Sequence, residues 1–133
     1  MKLDYKKKAE SYENLSNYIK KHENFNNTNS WGCHYYTNLF YKYAIKCSEI
    51  IKCYLQPTDI EHLNHQSISE KFKEYIDPKF NTKIGAGYHT LFILSRKFRY
   101  EQNKLSKQQR KDFENTMKKM DEYLKTIKSK LNK

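Results

Sequence analysis

The sequence predicts an all-α protein: an up-and-down antiparallel helical bundle of four long helices plus a short helix. Two observations carry this. Every apolar segment repeats in steps of three and four residues, the helical period, with Lys and Glu filling the intervals. Only three Gly and two Pro occur in 133 residues, too few for the turn-dense sandwiches and barrels. That length suits one domain over residues 1–133. Twelve Tyr, seven Phe and one Trp supply bulk for a modest core, which argues against global disorder. No run approaches the 18 or so apolar residues of a membrane span, and the opening Met1-Lys2-Leu3-Asp4-Tyr5-Lys6-Lys7-Lys8 has no apolar stretch behind its charges. The expectation is a cytoplasmic domain with no membrane contact.

The first helix is predicted over about 4–21, with Tyr5, Ala9, Tyr12, Leu15 and Ile19 inward. The Asn-rich stretch 23–30 reads as a loop, with Ser30 placed to cap a long second helix from Trp31. The stripe of that helix is Trp31, Tyr35, Leu39, Tyr43, Cys47, Ile50, Ile51 and Tyr54, and Pro57 stops it. Ile60 and Leu63 suggest a short turn. Ser67-x-x-Glu70 then resembles a capping box ahead of Ile68, Phe72, Tyr75 and Ile76, with Asp77-Pro78 as terminator. The next helix places Ile84, Tyr88, Leu91, Phe92, Ser95 and Phe98 on one face. Gly85 and Gly87 fall in its first turn, either tolerated there or marking a close helix approach. Ser106-x-x-Gln109 is a second capping box. Phe113, Met117, Met120, Leu124, Ile127 and Leu131 follow it as a heptad-like seam, suited to the chain's own bundle or to dimerisation.

The net charge of +11 is compatible with a nucleic-acid partner. It is equally compatible with the Lys, Asn, Tyr and Ile bias of an AT-rich genome, so charge alone does not assign a function. Cys33, Cys47 and Cys53 are odd in number and lack C-x-x-C spacing, which disfavours a disulfide framework and a zinc site. His62 and His65 are three apart but have no third ligand, so no metal and no cofactor is expected; a polar-network role is the simpler reading.

Arginine is more informative. Only Arg96, Arg99 and Arg110 occur among 26 basic residues. Arg96 and Arg99 lie one turn apart, and a guanidinium makes the bidentate contact to phosphate or carboxylate that Lys cannot. The pair either recognises phosphate, with Lys97 and Lys104 beside it, or locks helices through Glu49, Glu70 or Glu74.

Trp31-x-x-x-Tyr35-Tyr36-x-x-Leu39, then His65 leading into a helix, then Tyr88-x-x-Leu91-x-x-x-Ser95-Arg96-x-x-Arg99-Tyr100, resembles a bacterial branch of the HEPN superfamily over about residues 30–101. The resemblance implies a helical bundle, commonly a homodimer, with a basic cleft between protomers. Many such proteins are metal-independent endoribonucleases. Others bind RNA without cutting it, or partner nucleotidyltransferases or nucleases in toxin–antitoxin and antiviral defence systems. The ribonucleases carry R-x4-6-H, whose His activates a ribose hydroxyl while the Arg steadies phosphate charge. Here no His follows Arg96 or Arg99, Phe40 stands where related chains have a His, and Ile68 where they have an Arg. Tyr100 is a poor base at neutral pH. The expectation is therefore a noncatalytic HEPN-like module that binds RNA or a protein partner. Its nucleic-acid contacts would be Arg96, Lys97, Arg99 and Lys104. An atypical endoribonuclease would use Arg96, Arg99 and Tyr100 with a His from another helix, such as His65 or His34. A helical adaptor with a basic surface is the third reading.

Overall fold

The computed structural model describes residues 6–22, 30–55, 64–100 and 106–131, without the side chains of residues 6, 8, 22, 30–33 and 98–100. Every element in them is helical, and there is no strand among the described residues. Helix α1 is Lys6–His22 and α2 is Ser30–Tyr54. Helix α3 starts as His65–Lys71, passes through a wide π turn at Phe72–Ile76 and ends as Asp77–Phe80. Helix α4 is Ile84–Tyr100 and α5 is Lys107–Leu131. The Ile60 and Leu63 turn, Pro57 and His62 fall outside the described residues. None of the described helices is long and apolar enough to cross a membrane.

Helix α2 is the core element, because it is buried on more than one face. Tyr36, Leu39, Phe40, Tyr43, Cys47, Ile50 and Ile51 are all buried, and each large side chain contributes about 1.5–3 kcal/mol by leaving water. Leu39, Tyr88 and Leu91 are inside as the periodicity predicts, whereas Tyr35 and Tyr54 are only half-buried. Tyr36 and Phe40, which a single stripe omits, are deeper than Tyr35. A helix flanked on several sides needs more than one apolar stripe.

Helix α1 lies against α2 in the opposite sense: Tyr12 meets the Tyr41 ring at 5.4 Å, while Ser16, further along, reaches back to Tyr35. The Ser16 hydroxyl donates to the Tyr12 carbonyl (3.1 Å) and reaches the Tyr35 carbonyl (3.3 Å). The contact runs along Ala9, Ser16 and Ile19, where the small residues allow a close approach, and Leu15, expected inward, is 47% exposed. Selecting by hydrophobicity alone overlooks a buried Ser that satisfies its hydroxyl on the backbone.

Helix α3 corrects two expectations. Its start is set by Asn64, not Ser67. The Ser67 N–H donates to Asn64 Oδ1 and the Asn64 N–H donates to Ser67 Oγ, each at 2.8 Å. Its end is also later than Asp77-Pro78, since the helix absorbs Pro78 through the π turn, where the Asp77 N–H bonds the Phe72 carbonyl. Proline lacks the N–H of a regular ladder and crowds the carbonyl four residues back, and a wide turn relieves both. With more residues per turn, Phe72 and Ile76 share the inner face while Tyr75 rotates out to 49% exposure.

Asp77 joins α3 to α4. Its buried carboxylate accepts from the Thr82 hydroxyl (2.6 Å) and the Ile84 N–H (2.9 Å) at one oxygen, and from the Gly85 N–H (2.9 Å) at the other. The two N–H groups are orphan donors of the first turn of α4. Gly85 then seats backbone against backbone: an added Cβ would lie 2.6 Å from the Ser69 carbonyl oxygen, and the Ser69 hydroxyl donates to the Gly85 carbonyl at 2.8 Å. The predicted Ser106–Gln109 box is present, with Ser106 N–H to Gln109 Oε1 at 2.9 Å and Gln109 N–H to Ser106 Oγ at 3.0 Å. Phe113, Met120, Leu124 and Ile127 of the α5 seam are buried, with Met117 and Leu131 at its margin. They face the chain's own core. Helix α5 meets α2 through Tyr36 on Phe113 (5.1 Å between ring centres) and the Tyr43 hydroxyl, which donates to Asp121 at 2.7 Å.

Candidate functional site

Two regions hold the residues singled out from the sequence. The first is the seam between α2, α3 and α4. The Asn64 cap makes His65 the first residue of α3 and tucks its half-buried ring between Phe92 (4.6 Å), Phe40 (5.1 Å) and Tyr88 (6.0 Å). His65 Nδ1 is 2.7 Å from the hydroxyl of Tyr88, a fully buried residue. Among the described residues that hydroxyl has no other hydrogen-bond partner; with the ring proton on Nε2 the phenol donates to Nδ1, and with the proton on Nδ1 it accepts. Burial pushes the Tyr88 phenol well above its ordinary pKa, keeping it protonated in either role. A His acting as base through Nε2 needs its proton on Nδ1, and the phenol proton would then have no acceptor among the described residues.

Phe40 is completely buried and Ile68 nearly so, both packed in the same cluster. The positions where the resemblance places a His and an Arg thus belong to the core. Beside them opens a cleft of about 520 Å³, bordered by Ser48, Glu49 and Lys52 of α2, by Asn64, His65 and Ile68 of α3 and by Tyr88 of α4. Lys52 and Glu49 pair across its rim at 3.5 Å. The described residues offer no group of three His, Cys, Asp or Glu side chains able to hold a metal ion. The thiol of Cys47 is buried and pushed up by that burial and by Asp77, and Cys53 is raised chiefly by burial, so neither is an activated nucleophile.

The second region is the end of the molecule where α4 finishes and α5 begins. Arg96 is exposed and Lys97 half-buried; Arg99 and Tyr100 occupy the last turn of α4, and Lys104 lies outside the described residues. His65 meets this helix at Phe92, one turn ahead of Arg96. Of the carboxylates considered as arginine partners, Glu49 pairs with Lys52 and Glu70 accepts from Gln66 at 3.1 Å. The residue passed over in the sequence is Arg110. It lies beside Tyr36, whose phenol burial raises to about 12 with Tyr35 and Glu114 adding to the rise and Arg110 opposing it. Its Nε is buried without a hydrogen-bond partner. The available signal was its rarity, as the third of three Arg, one turn into a capped helix.

No known protein family, curated protein or solved structure matches this chain.

Proposed function

We propose that this chain is a noncatalytic, HEPN-like module, an up-and-down antiparallel bundle that binds RNA through the arginine-bearing end of α4. The setting is a bacterial or phage defence, toxin–antitoxin or regulatory system, in which a nucleotidyltransferase or nuclease is the fitting protein partner and a homodimer the fitting assembly. The observation that carries the noncatalytic reading is the Tyr88–His65 contact at 2.7 Å. With the phenol as donor, Nδ1 accepts and the Nε2 lone pair that a general base needs is taken up by the ring proton. Burial of Phe40 and Ile68 supports the same reading, since neither position offers a charge to a reacting phosphate. Arg96, exposed one turn beyond the His65 contact, supports phosphate recognition without chemistry.

The test is incubation of the pure protein with labelled structured RNA in chelator, followed by a salt titration of binding. Intact RNA with affinity that falls steeply as salt rises is the expected result. Metal-independent cleavage abolished by His65→Ala would replace this reading with an atypical ribonuclease. Absence of RNA binding at low salt would leave a protein-binding adaptor.

A further inference from the structure

Helices α1 and α5 flank α2 and leave between them a cavity of about 370 Å³ that borders neither Arg96 nor His65. That volume lies within the roughly 300–1,000 Å³ of small-molecule sites. Helical spacing brings its charges together. Lys42 and Lys46 come from one face of α2, Asp121, Lys125 and Lys128 from one face of α5, and Glu10 and Glu13 from α1. Cations and carboxylates therefore face each other across a cavity whose lining also includes the buried Ala9 and Leu124.

The two amines of α2 are held differently. Lys42 is 7% exposed, with its ammonium 3.8 Å from Glu13 and 4.8 Å from the centre of the Tyr43 ring. Lys46 is half-buried, and its Nζ lies further from that ring, at 5.9 Å. The Tyr43 hydroxyl already occupies one oxygen of Asp121, at 2.7 Å. Burial most of all, then Lys42 and Lys128, push the Lys46 ammonium below the ordinary lysine range, against the opposing pull of Asp121 and Glu13. An amine sheltered from water, beside other cations and open to a cavity, has the setting in which lysine becomes a nucleophile.

We infer that Lys46 is a carbonyl-reactive amine, and that the cavity between α1, α2 and α5 takes a small aldehyde whose anionic group Lys125 and Lys128 meet at the rim. The step is a condensation without redox change. The neutral Nζ adds its electron pair to the carbonyl carbon while the C=O π pair moves to oxygen, and a proton passes from nitrogen to that oxygen to give a carbinolamine. The hydroxyl then leaves as water with a proton relayed from solvent by Asp121 or Glu13, and the nitrogen pair closes the C=N bond. Amine, aldehyde and one proton thus give an iminium and water. The same two carboxylates that favour charge at Lys46 stabilise that iminium. This site is independent of the RNA-binding end of α4.

The experiment treats the full chain at neutral pH with equimolar pyridoxal phosphate, an anionic aldehyde. Borohydride added at timed intervals fixes each imine as a secondary amine, and peptide mass spectrometry maps the labelled lysines. Lys46 is expected to take label about tenfold faster than the exposed Lys111 and Lys119. Repeated across pH, its labelling should reach half of its plateau at a lower pH than theirs, since the amine loses its proton earlier. Lys128→Gln should slow the labelling of Lys46, because a like charge and a contact for the phosphate are both removed. Label spread with Lys46 no faster than Lys111 or Lys119 overturns the inference, and so does fast label confined to Lys42, Lys125 or Lys128. Fast labelling that survives Lys46→Arg, in a protein melting at the wild-type temperature, overturns it as well. The map is read on the wild-type chain, so it decides even where a variant fails to fold.

Discussion

Gly85 and Gly87, two residues apart in α4, should respond oppositely to the same substitution. Replacing either by Ala removes the glycine penalty in a helix, a gain of up to about 1 kcal/mol. At Gly85 the new methyl would stand 2.6 Å from both the Ser69 carbonyl oxygen and Lys73 Cγ, and 3.2 Å from the Lys73 nitrogen. Two of these three atoms are backbone of α3, so the helices must part by most of an ångström, roughly 0.8 Å, to restore ordinary contact. Such overpacking costs about 1–3 kcal/mol, and stretching the buried Ser69–Gly85 hydrogen bond adds about 1 kcal/mol. The net expectation for Gly85→Ala is a loss of about 2 kcal/mol. At roughly 4 °C per kcal/mol for a chain of this size, the melting temperature falls by about 8 °C. At Gly87 the obstacles are Met120 Sδ at 2.7 Å and Cγ at 3.2 Å, the far end of a flexible thioether. Gly87→Ala should therefore be neutral or stabilising by up to about 1 kcal/mol. Urea unfolding followed by circular dichroism measures both, provided the m-value is unchanged. A neutral Gly85→Ala, or a Gly87→Ala as damaging as that expected for Gly85, would refute the two helix seams as described.

Asp77→Asn should destabilise by about 2–3 kcal/mol, because the amide nitrogen must face the Gly85 N–H or the Thr82 and Ile84 donors in place of an acceptor; chemical denaturation at neutral pH reads it, and a neutral result would refute the junction. Alkaline pH should unfold the protein. Tyr36 is raised to about 12 and Tyr43 and Tyr88 are raised too, all chiefly by burial. A phenol with a higher pKa folded than unfolded contributes stability below the unfolded value near 10, and this is lost as pH climbs through the folded value. Phenolate absorbance should then appear in two phases, the exposed tyrosines first and the buried ones together with loss of helix; a single smooth titration with helix intact would contradict the burial.

The parts of the fold that are legible in the sequence are those where one local rule acts alone. The Ser106–Gln109 box forms as its spacing requires, and the α5 seam points inward, because hydrogen bonding within one turn and a strict apolar repeat are local properties. Reading fails where a neighbouring element decides. Lys42 is only 7% exposed, its ammonium 3.8 Å from Glu13 and over the Tyr43 ring at 4.8 Å. Nothing in the α2 sequence says that α1 will supply the carboxylate that makes such burial tolerable. Leu15 and Ser16 exchange their expected places for the same reason, as does Tyr75 once Pro78 imposes the π turn.

The candidate site divides along the same line. Counting arginines in a Lys-rich chain picks out the positions where a planar guanidinium is kept, and it leads to Arg96 and Arg99. It offers no ground for preferring that pair to Arg110 except adjacency in sequence. Adjacency says nothing of surroundings: Arg96 is exposed, whereas Arg110 is half-buried with its Nε inside. His65 is the converse case. Its position ahead of a helix suggests a catalytic group, but its Nδ1 meets a hydroxyl contributed from Tyr88, 23 residues away. A buried phenol with no other acceptor favours the tautomer that takes its proton at Nδ1, and so bears on the reactions that imidazole can serve.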